Sequence, residues 1–324
     1  MSMRSRIVNY IAALIIIILF AFILPRMMPG DPLQAIYGNE AFVAMTPELK
    51  AELIQRFSLD KSLSQQFKAY VISLCHCDLG YSYYYNVPVL SVILSHLPWT
   101  LLLVGLSLLL SFAVGLFLGV ESGYRQGHFI DRFLLTCLTL LSGFPAFFVG
   151  ILMLLLFGVS LGWAPLGGAL DLYANKNLLE LVLDVLHHLL LPVASLVLAQ
   201  TIVTYMYTRS SMVTTMGEKY IMTAKAKGCP DLAIRYRHAA RNSLLPVVTS
   251  TGLGFASMIS GVLLVEIIFS YPGMGTLLYS SLLNRDYPLL QGILLLMAVV
   301  ILLVNFLIDL LYQILDPRIS HASN

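Results

Sequence analysis

Few residues of this chain have the type and spacing for chemistry. Cys75, His76 and Cys77 stand together and offer two thiols and an imidazole, the donors of zinc and redox sites. Metal pairs, however, usually show Cys-x2-Cys spacing with a second pair elsewhere. The other two cysteines, Cys137 and Cys229, fall singly in an apolar run and in a basic loop, so the stretch reads as ordinary loop residues rather than a metal site. Glu266 and Asp309 are carboxylates in long apolar runs. At membrane depth such groups line a water-filled path or pair internally. Each lies near the end of its run, where the cost is low, and internal hydrogen bonding is the favoured reading. Glu266, with Pro272 and Gly273 just beyond it, is also a candidate for a translocation path or gate. A Gly-x4-Gly-Lys-Ser/Thr phosphate loop and a His-Glu-x-x-His metal motif are both absent. No catalytic residue and no cofactor bound by this chain are therefore expected, and Asp309 has no second aspartate to form a proteolytic pair.

The elements that would position these residues are dictated by hydrophobicity. Of 324 residues, 58% are hydrophobic and only 11% charged, less than half the charged share of a soluble domain. A net charge of +2 gives no basic field for nucleic acid. Six apolar stretches, 8–28, 99–120, 133–161, 186–207, 244–269 and 289–312, are long enough to cross a bilayer. The fold class expected is all-α, a polytopic membrane protein with six transmembrane helices. The third stretch is long, with a kink expected at Gly143 and Pro145. The first is too long for a signal peptide and lacks a cleavage site.

The division that follows is residues 1–28 as N-terminal region and first helix, 29–98 as an extracytoplasmic lobe, 99–316 as the transmembrane core, and 317–324 as a tail. Within the lobe, Thr46-Pro47-Glu48 reads as a helix start. Leu49, Leu53, Ile54 and Phe57 then share one helical face. With the N-terminus inside, Arg4, Arg6, Arg125, Arg132 and Arg318 are cytoplasmic, while the short outer loops hold only Lys176 and Arg285. This asymmetry satisfies the positive-inside rule and puts both termini in the cytoplasm.

The longest cytoplasmic connection, 209–242, is also the most basic, with seven Lys and Arg residues. Residues 219–227 are good helix formers ended by Gly228, which is expected in a left-handed conformation. Pro230 marks a restart. At about 100° per residue, Leu232, Ala233, Tyr236, Ala239 and Ala240 share one side of the next helix, with Ile234 stranded among polar residues. A helix–Gly–helix of this kind suits docking into a partner's groove. It equally suits a solvated or anionic-lipid-facing loop.

The string TAKAKGCPDLAIRYRHAARNSLLPVV resembles the cytoplasmic EAA loop of ABC-importer permeases, in the variant of the dipeptide/oligopeptide/nickel family. Thr223, Ala224 and Gly228 fall on its Ala, Ala and Gly positions. His238, Ala239, Arg241, Asn242, Leu245 and Pro246 fall on its second half. Met222 stands where the general loop has Glu. Pro29-Gly30-Asp31-Pro32, Asp78-Leu79-Gly80, Arg125-Gln126-Gly127, Asp131-Arg132, the run from Phe269 to Gly275, Arg285-Asp286-Tyr287-Pro288 and Asp316-Pro317-Arg318 resemble the same family in order and spacing.

The resemblance implies a type I importer permease in the inner membrane. Its implied partners are a second similar permease, two cytoplasmic ATPases that carry ATP and Mg, and an extracytoplasmic solute-binding protein. Transport by alternating access is implied, with Thr223, Ala224, Lys225, Gly228, His238, Arg241 and Asn242 in the ATPase-docking loop. The solute implied is a small peptide, or nickel or a nickel chelate. Two other classes fit the residues less well. An intramembrane enzyme lacks its motifs. An ion-coupled secondary transporter would show inverted repeats and midplane polar residues, and neither is found.

Overall fold

The computed structural model describes residues 3–27, 33, 37, 39–56, 60–171 and 176–315, with side chains for all of these except 3–7, 39–41, 56, 245–246, 249–257, 259–260 and 308–315. Among the described residues the chain is helical, and its one extended pairing is a single antiparallel bridge between Tyr81 and Pro88. The helices are α1 (Met3–Arg26), α2 (Asn39–Ala44), α3 (Pro47–Arg56), α4 (Leu63–Cys75), α5 (Val89–Tyr124), α6 (Phe129–Ser142) and α7 (Ala146–Met153). They continue with α8 (Leu178–Met216), α9 (Lys219–Ala226), α10 (Arg241–Ile268), α11 (Met274–Leu283) and α12 (Tyr287–Leu315). Two π-helical turns, Leu154–Ser160 and Ala233–Ala240, prolong α7 and lead into α10.

Among the described residues four helices are long and apolar enough to cross a membrane, namely Val8–Arg26 of α1, α5, α8 and Tyr287–Leu307 of α12. The pair α6 and α7 with its π continuation makes a fifth if counted as one span. The 28-residue α10 stands where the fifth apolar stretch was expected, and the set is compatible with six spans. The expected kink is a 94° bend, far sharper than a tilt. Pro145 is extended, with ψ 149°. It has no N–H to continue the ladder, and its ring disfavours helix at the residue before it.

Two boundaries differ from the sequence reading. α5 begins at Val89, earlier than the apolar stretch expected from 99, so Pro98 lies inside a helix. The chain also divides into two compact units, one containing the described residues up to Pro98 together with Gly273–Leu303, the other Trp99–Pro272 together with the described residues from Val304 on. The division of the core at 272 reflects side-chain packing that no local pattern carries. In the first unit, Val89, Val92 and Ile93 of α5 pack on Met274 and Leu277 of α11 and on Leu289 and Ile293 of α12. Asp286 starts α12 by accepting the Leu289 N–H at 3.2 Å, and it also accepts the Ser82 hydroxyl and the Tyr84 N–H. At the Thr46 helix start, the hydroxyl accepts the Leu49 N–H at 3.3 Å. On the face proposed there Leu53 is buried and Leu49 exposed, while Phe57 lies outside the described residues.

The second unit holds Leu103 and Val104 of α5, Leu189, Leu191, Val193 and Leu196 of α8, and Met258, Val262 and Val265 of α10 in one core. Glycines let α5 approach α8 closely. A Cβ on Gly115, Gly119 or Gly123 of α5 would lie 2.7 Å from Thr204 Cβ, 2.5 Å from Thr208 Cβ and 2.6 Å from Met212 Cβ of α8, respectively. The sequence carries this as a four-residue spacing of small residues, the usual signature of close helix packing in membranes, which hydrophobicity alone does not reveal.

Candidate functional site

The basic segment folds as helix, left-handed glycine and π turn. α9 ends where Gly228 takes φ +72°. Cys229 N–H donates to the Ala224 carbonyl at 3.2 Å and Gly228 N–H to that of Lys225 at 3.0 Å, the two bonds of a Schellman ending. Pro230 then opens the next turn, accepting from Ala233 and Ile234. The second half is π-helical rather than α-helical. A π turn bonds i to i+5 and is wider than an α turn, so Ile234 and Ala239 fall on one face. Both are buried, against Val120, Met212 and Ile221. Leu232 and Tyr236, assigned to the apolar face at helical pitch, are instead 67% and 41% exposed.

One carboxylate anchors this segment to α5, and a second beside it ties α6 to α8. Glu121 of α5 accepts both bonds from Arg235 Nη1 at 2.6 and 2.8 Å and one from the Tyr236 hydroxyl at 2.7 Å, with Arg125 3.4 Å away. The Arg235 guanidinium also stacks 4.2 Å over the Tyr124 ring. Burial opposes the charge on Arg235, but the hydrogen bond and field of Glu121 outweigh it and raise its pKa above the ordinary arginine value. One residue on, the Ser122 hydroxyl donates to Asp131 at 2.5 Å and touches the Tyr205 hydroxyl at 2.7 Å. Asp131 is buried and takes a bidentate pair from Arg209 of α8, Nε at 2.6 Å and Nη2 at 2.8 Å, plus the Gly127 N–H at 2.8 Å. Adjacent residues at the end of α5 thus hold the basic segment on one side and α6 and α8 on the other. Arg125 is a local partner of Glu121, but the sequence does not show that Arg235, 114 residues away, meets Glu121, or that Arg209, 78 residues away, meets Asp131.

The residues singled out from the sequence separate into three groups. Thr223, Lys225, Gly228, Arg241 and Asn242 are exposed and His238 is half-buried, with Asn242 Nδ2 donating to the His238 carbonyl at 3.0 Å. Ala224 is corrected. It is buried within the chain, and the exposed apolar side chain beside it is Met222, at 63%. The larger groups Tyr220, Met222 and Leu232 are exposed. Leu245, Pro246 and Asp309 have side chains outside the described residues, as do 29–32 and 316–318 entirely.

Glu266 is fully buried in the second unit and accepts the Thr100 hydroxyl at 2.6 Å. It does not line an opening in this chain, because the end of α10 packs against α5 there, with Trp99 edge-on to buried Tyr271 at 6.0 Å. Pro272 is half-buried at the end of that unit, and Gly273, in the other, is the buried residue that starts α11. Thr100→Val leaves the buried carboxylate one donor short, which costs about 1–3 kcal/mol. A lower melting temperature of the purified protein is expected for Thr100→Val and for Glu266→Leu, and unchanged melting in both would refute the structural role.

Cys75 and Cys77 are exposed and free, and His76 Nδ1 lies 2.9 Å from the Ile72 carbonyl. Among the described residues one group has metal-ligand spacing, Asp171, Asp184 and His188. Lys176 Nζ occupies it, 2.7 Å from Asp184 and 3.2 Å from Asp171, so an ammonium already offsets part of the carboxylates' charge.

Comparison with known proteins gives a consistent set. Residues 111–321 match the family described as binding-protein-dependent transport system inner membrane component, and residues 2–104 match the N-terminal region of such membrane components. The chain is similar to the di/tripeptide transport system permease protein DppB of Pseudomonas aeruginosa, 36% identical over 317 residues and covering 94% of each. It is 35% identical over 327 residues to the dipeptide transport system permease protein DppB of Escherichia coli K12, covering 95% of this chain and 94% of the relative. A probable peptide ABC transporter permease protein of Sinorhizobium fredii is 34% identical over 316 residues, with 98% of each covered. Among solved structures, the crystal structure of an amino acid ABC transporter with histidines superposes with a TM-score of 0.50 at 14% identity, over 69% of this chain and 94% of that one.

Proposed function

The chain belongs to the binding-protein-dependent transport system inner membrane component family, and on that premise we propose that it passes short peptides inward as one permease of a two-permease importer. The observation that carries the substrate is the near full-length likeness to permeases named for dipeptides and di/tripeptides; it favours peptide over nickel. Two ATPase subunits holding ATP and Mg bind the exposed face of the basic segment, through Tyr220, Met222 and Leu232 with Lys225 and Arg241 beside them. A solute-binding protein delivers peptide on the opposite side, where residues 29–98 lie, and both termini are cytoplasmic.

Mechanically, this chain receives force. ATP shifts the equilibrium between inward- and outward-open states only through contacts that differ between them. The Glu121–Arg235 pair is the shortest polar route from the docking segment to α5, and movement of the π turn would carry the end of α5 with it. The reading is tested in liposomes holding the complete complex, by ATP-dependent uptake of dialanine against nickel. Nickel uptake without dialanine uptake would overturn it. Arg235→Glu is expected to keep the ATPases bound but cut coupled uptake at least tenfold, with recovery in Arg235→Glu/Glu121→Arg. Uptake by Arg235→Glu equal to the unmodified complex would remove this pair from the route.

A further inference from the structure

The first unit holds an open cavity of about 900 Å³ that the translocation reading does not use. Its size falls in the range of small-molecule sites, about 300–1,000 Å³. Unlike most such sites it is lined mainly by polar groups, among them Arg26, Lys61, Gln66, Tyr70, Asp78 and Gln291. Two of these are anomalous. Gln291 of α12 is 6% exposed, yet its amide nitrogen has no hydrogen-bond partner, and the buried Tyr70 hydroxyl has none either. A buried polar group without a partner costs stability and calls for a reason. Here both unpartnered groups line the same cavity.

The neighbouring cation is held as though for use. Arg26 ends α1. Its Nε donates to Gln66 Oε1 at 3.0 Å and its Nη1 to the Phe22 carbonyl at 2.9 Å, while the guanidinium lies 3.7 Å from the centre of the Phe22 ring. Gln66 is fixed in turn by its own bond to the Lys61 carbonyl at 2.9 Å. Two of five guanidinium donors are thereby committed and the plane is set, which leaves the rest for an anion. Burial pushes the Tyr70 phenol up to about 12, so it stays a neutral donor. Arginine, phenol and carboxamide donors around one space form a carboxylate site. Asp78 supplies the opposite sign. One of its oxygens accepts the Gly80 N–H at 2.9 Å and the other is available to an ammonium.

We propose that this cavity binds the zwitterionic backbone of a short peptide, with the carboxylate on Arg26, Tyr70 and Gln291 and the ammonium on Asp78. The assignment rests on the peptide-permease reading and deepens it, because it gives this chain a substrate contact of its own. A zwitterionic phospholipid headgroup has related charges, with phosphate in place of carboxylate, and is the rival occupant.

The test uses the purified full chain in nanodiscs and calorimetric titration with dialanine, N-acetyl-dialanine, dialanine amide and glycerophosphoethanolamine. Dialanine is expected to bind, and capping either end to weaken it at least tenfold. Arg26→Gln and Gln291→Leu should each weaken it by a similar factor. Gln291→Leu is informative because it removes an unpartnered polar group at nearly constant volume. If Gln291 is merely structural, melting rises and dialanine binding is unchanged; if it serves the site, melting holds or rises while binding is lost. Absence of dialanine binding, insensitivity to both variants, or glycerophosphoethanolamine binding as tightly as dialanine would each overturn the site. Dialanine uptake by the intact complex judges the premise separately. Normal uptake with no binding in this cavity refutes the cavity alone, and no uptake by the unmodified complex refutes the permease reading.

Discussion

Gly119→Leu is expected to leave almost no folded protein in the membrane, and Gly119→Ala to lower stability measurably. A Cβ at this position meets Thr208 Cβ at 2.5 Å, Thr208 Cγ2 at 2.8 Å and the Tyr205 carbonyl at 3.0 Å. The carbonyl and Cβ belong to the spine of α8, not to a flexible side-chain tip, so α5 and α8 must separate. Overpacking costs about 1–3 kcal/mol for added methylenes, and more where backbone has to move. Separation also loses the contacts at Gly115 and Gly123, since the three glycines lie along one ridge. In a bilayer these helices have no hydrophobic drive to re-form another interface, because lipid is as apolar as leucine. Gly105→Ala is the control within α5, as nothing lies within 4 Å of a Cβ there. The measurement is yield and thermal unfolding in detergent. Equal stability of Gly119→Ala and Gly105→Ala would show that the close approach does not exist.

The second large effect is expected at Asp131. Its side chain is 3% exposed and that of Arg209 21%, and the bidentate pair is completed by Ser122 and Gly127. Removing one member of a buried pair strands the other charge, at a cost of about 3–5 kcal/mol. Asp131→Ala is therefore expected to be strongly destabilising. Asp131→Ala/Arg209→Met, which removes both charges, should recover much of the loss, because much of the penalty belongs to the stranded guanidinium. Ser122→Ala should cost far less, as it deletes one hydroxyl and leaves the pair intact. Chemical or thermal unfolding of the four proteins checks this. A double variant no more stable than Asp131→Ala would mean that the pair's geometry, not its charge, holds α6 to α8.

How much of this was legible beforehand depends on the range of the interaction. The four spans and the place of the bend come from runs of neighbouring residues, because bilayer thickness fixes the length of an apolar run and Pro145 acts on the turn before it. Gly228 is local in the same sense. Its left-handed conformation is decided by the lack of a Cβ at the end of α9, and the sequence shows that directly. The Gly115, Gly119 and Gly123 spacing was equally local and was passed over.

The rest required the folded chain. Arg235 and Glu121 are 114 residues apart in sequence, and Arg209 and Asp131 are 78 apart. Charge composition shows that such groups exist but not which of them meet. The π turn at Ala233–Ala240 is favoured by burying Ile234 under Val120 and Met212, and that choice of pitch turned Leu232 and Tyr236 outward. For the same reason Ala224 faces inward. A small residue reads as a docking contact or as a packing contact with equal ease, and only its burial in the folded chain, with Ile221 on the same helix, decides which surface it meets. Glu266 shows the principle most plainly. Its sequence position placed a carboxylate near the end of an apolar run, but whether that carboxylate faced water or a hydroxyl depended on Thr100, 166 residues away, arriving within 2.6 Å of it.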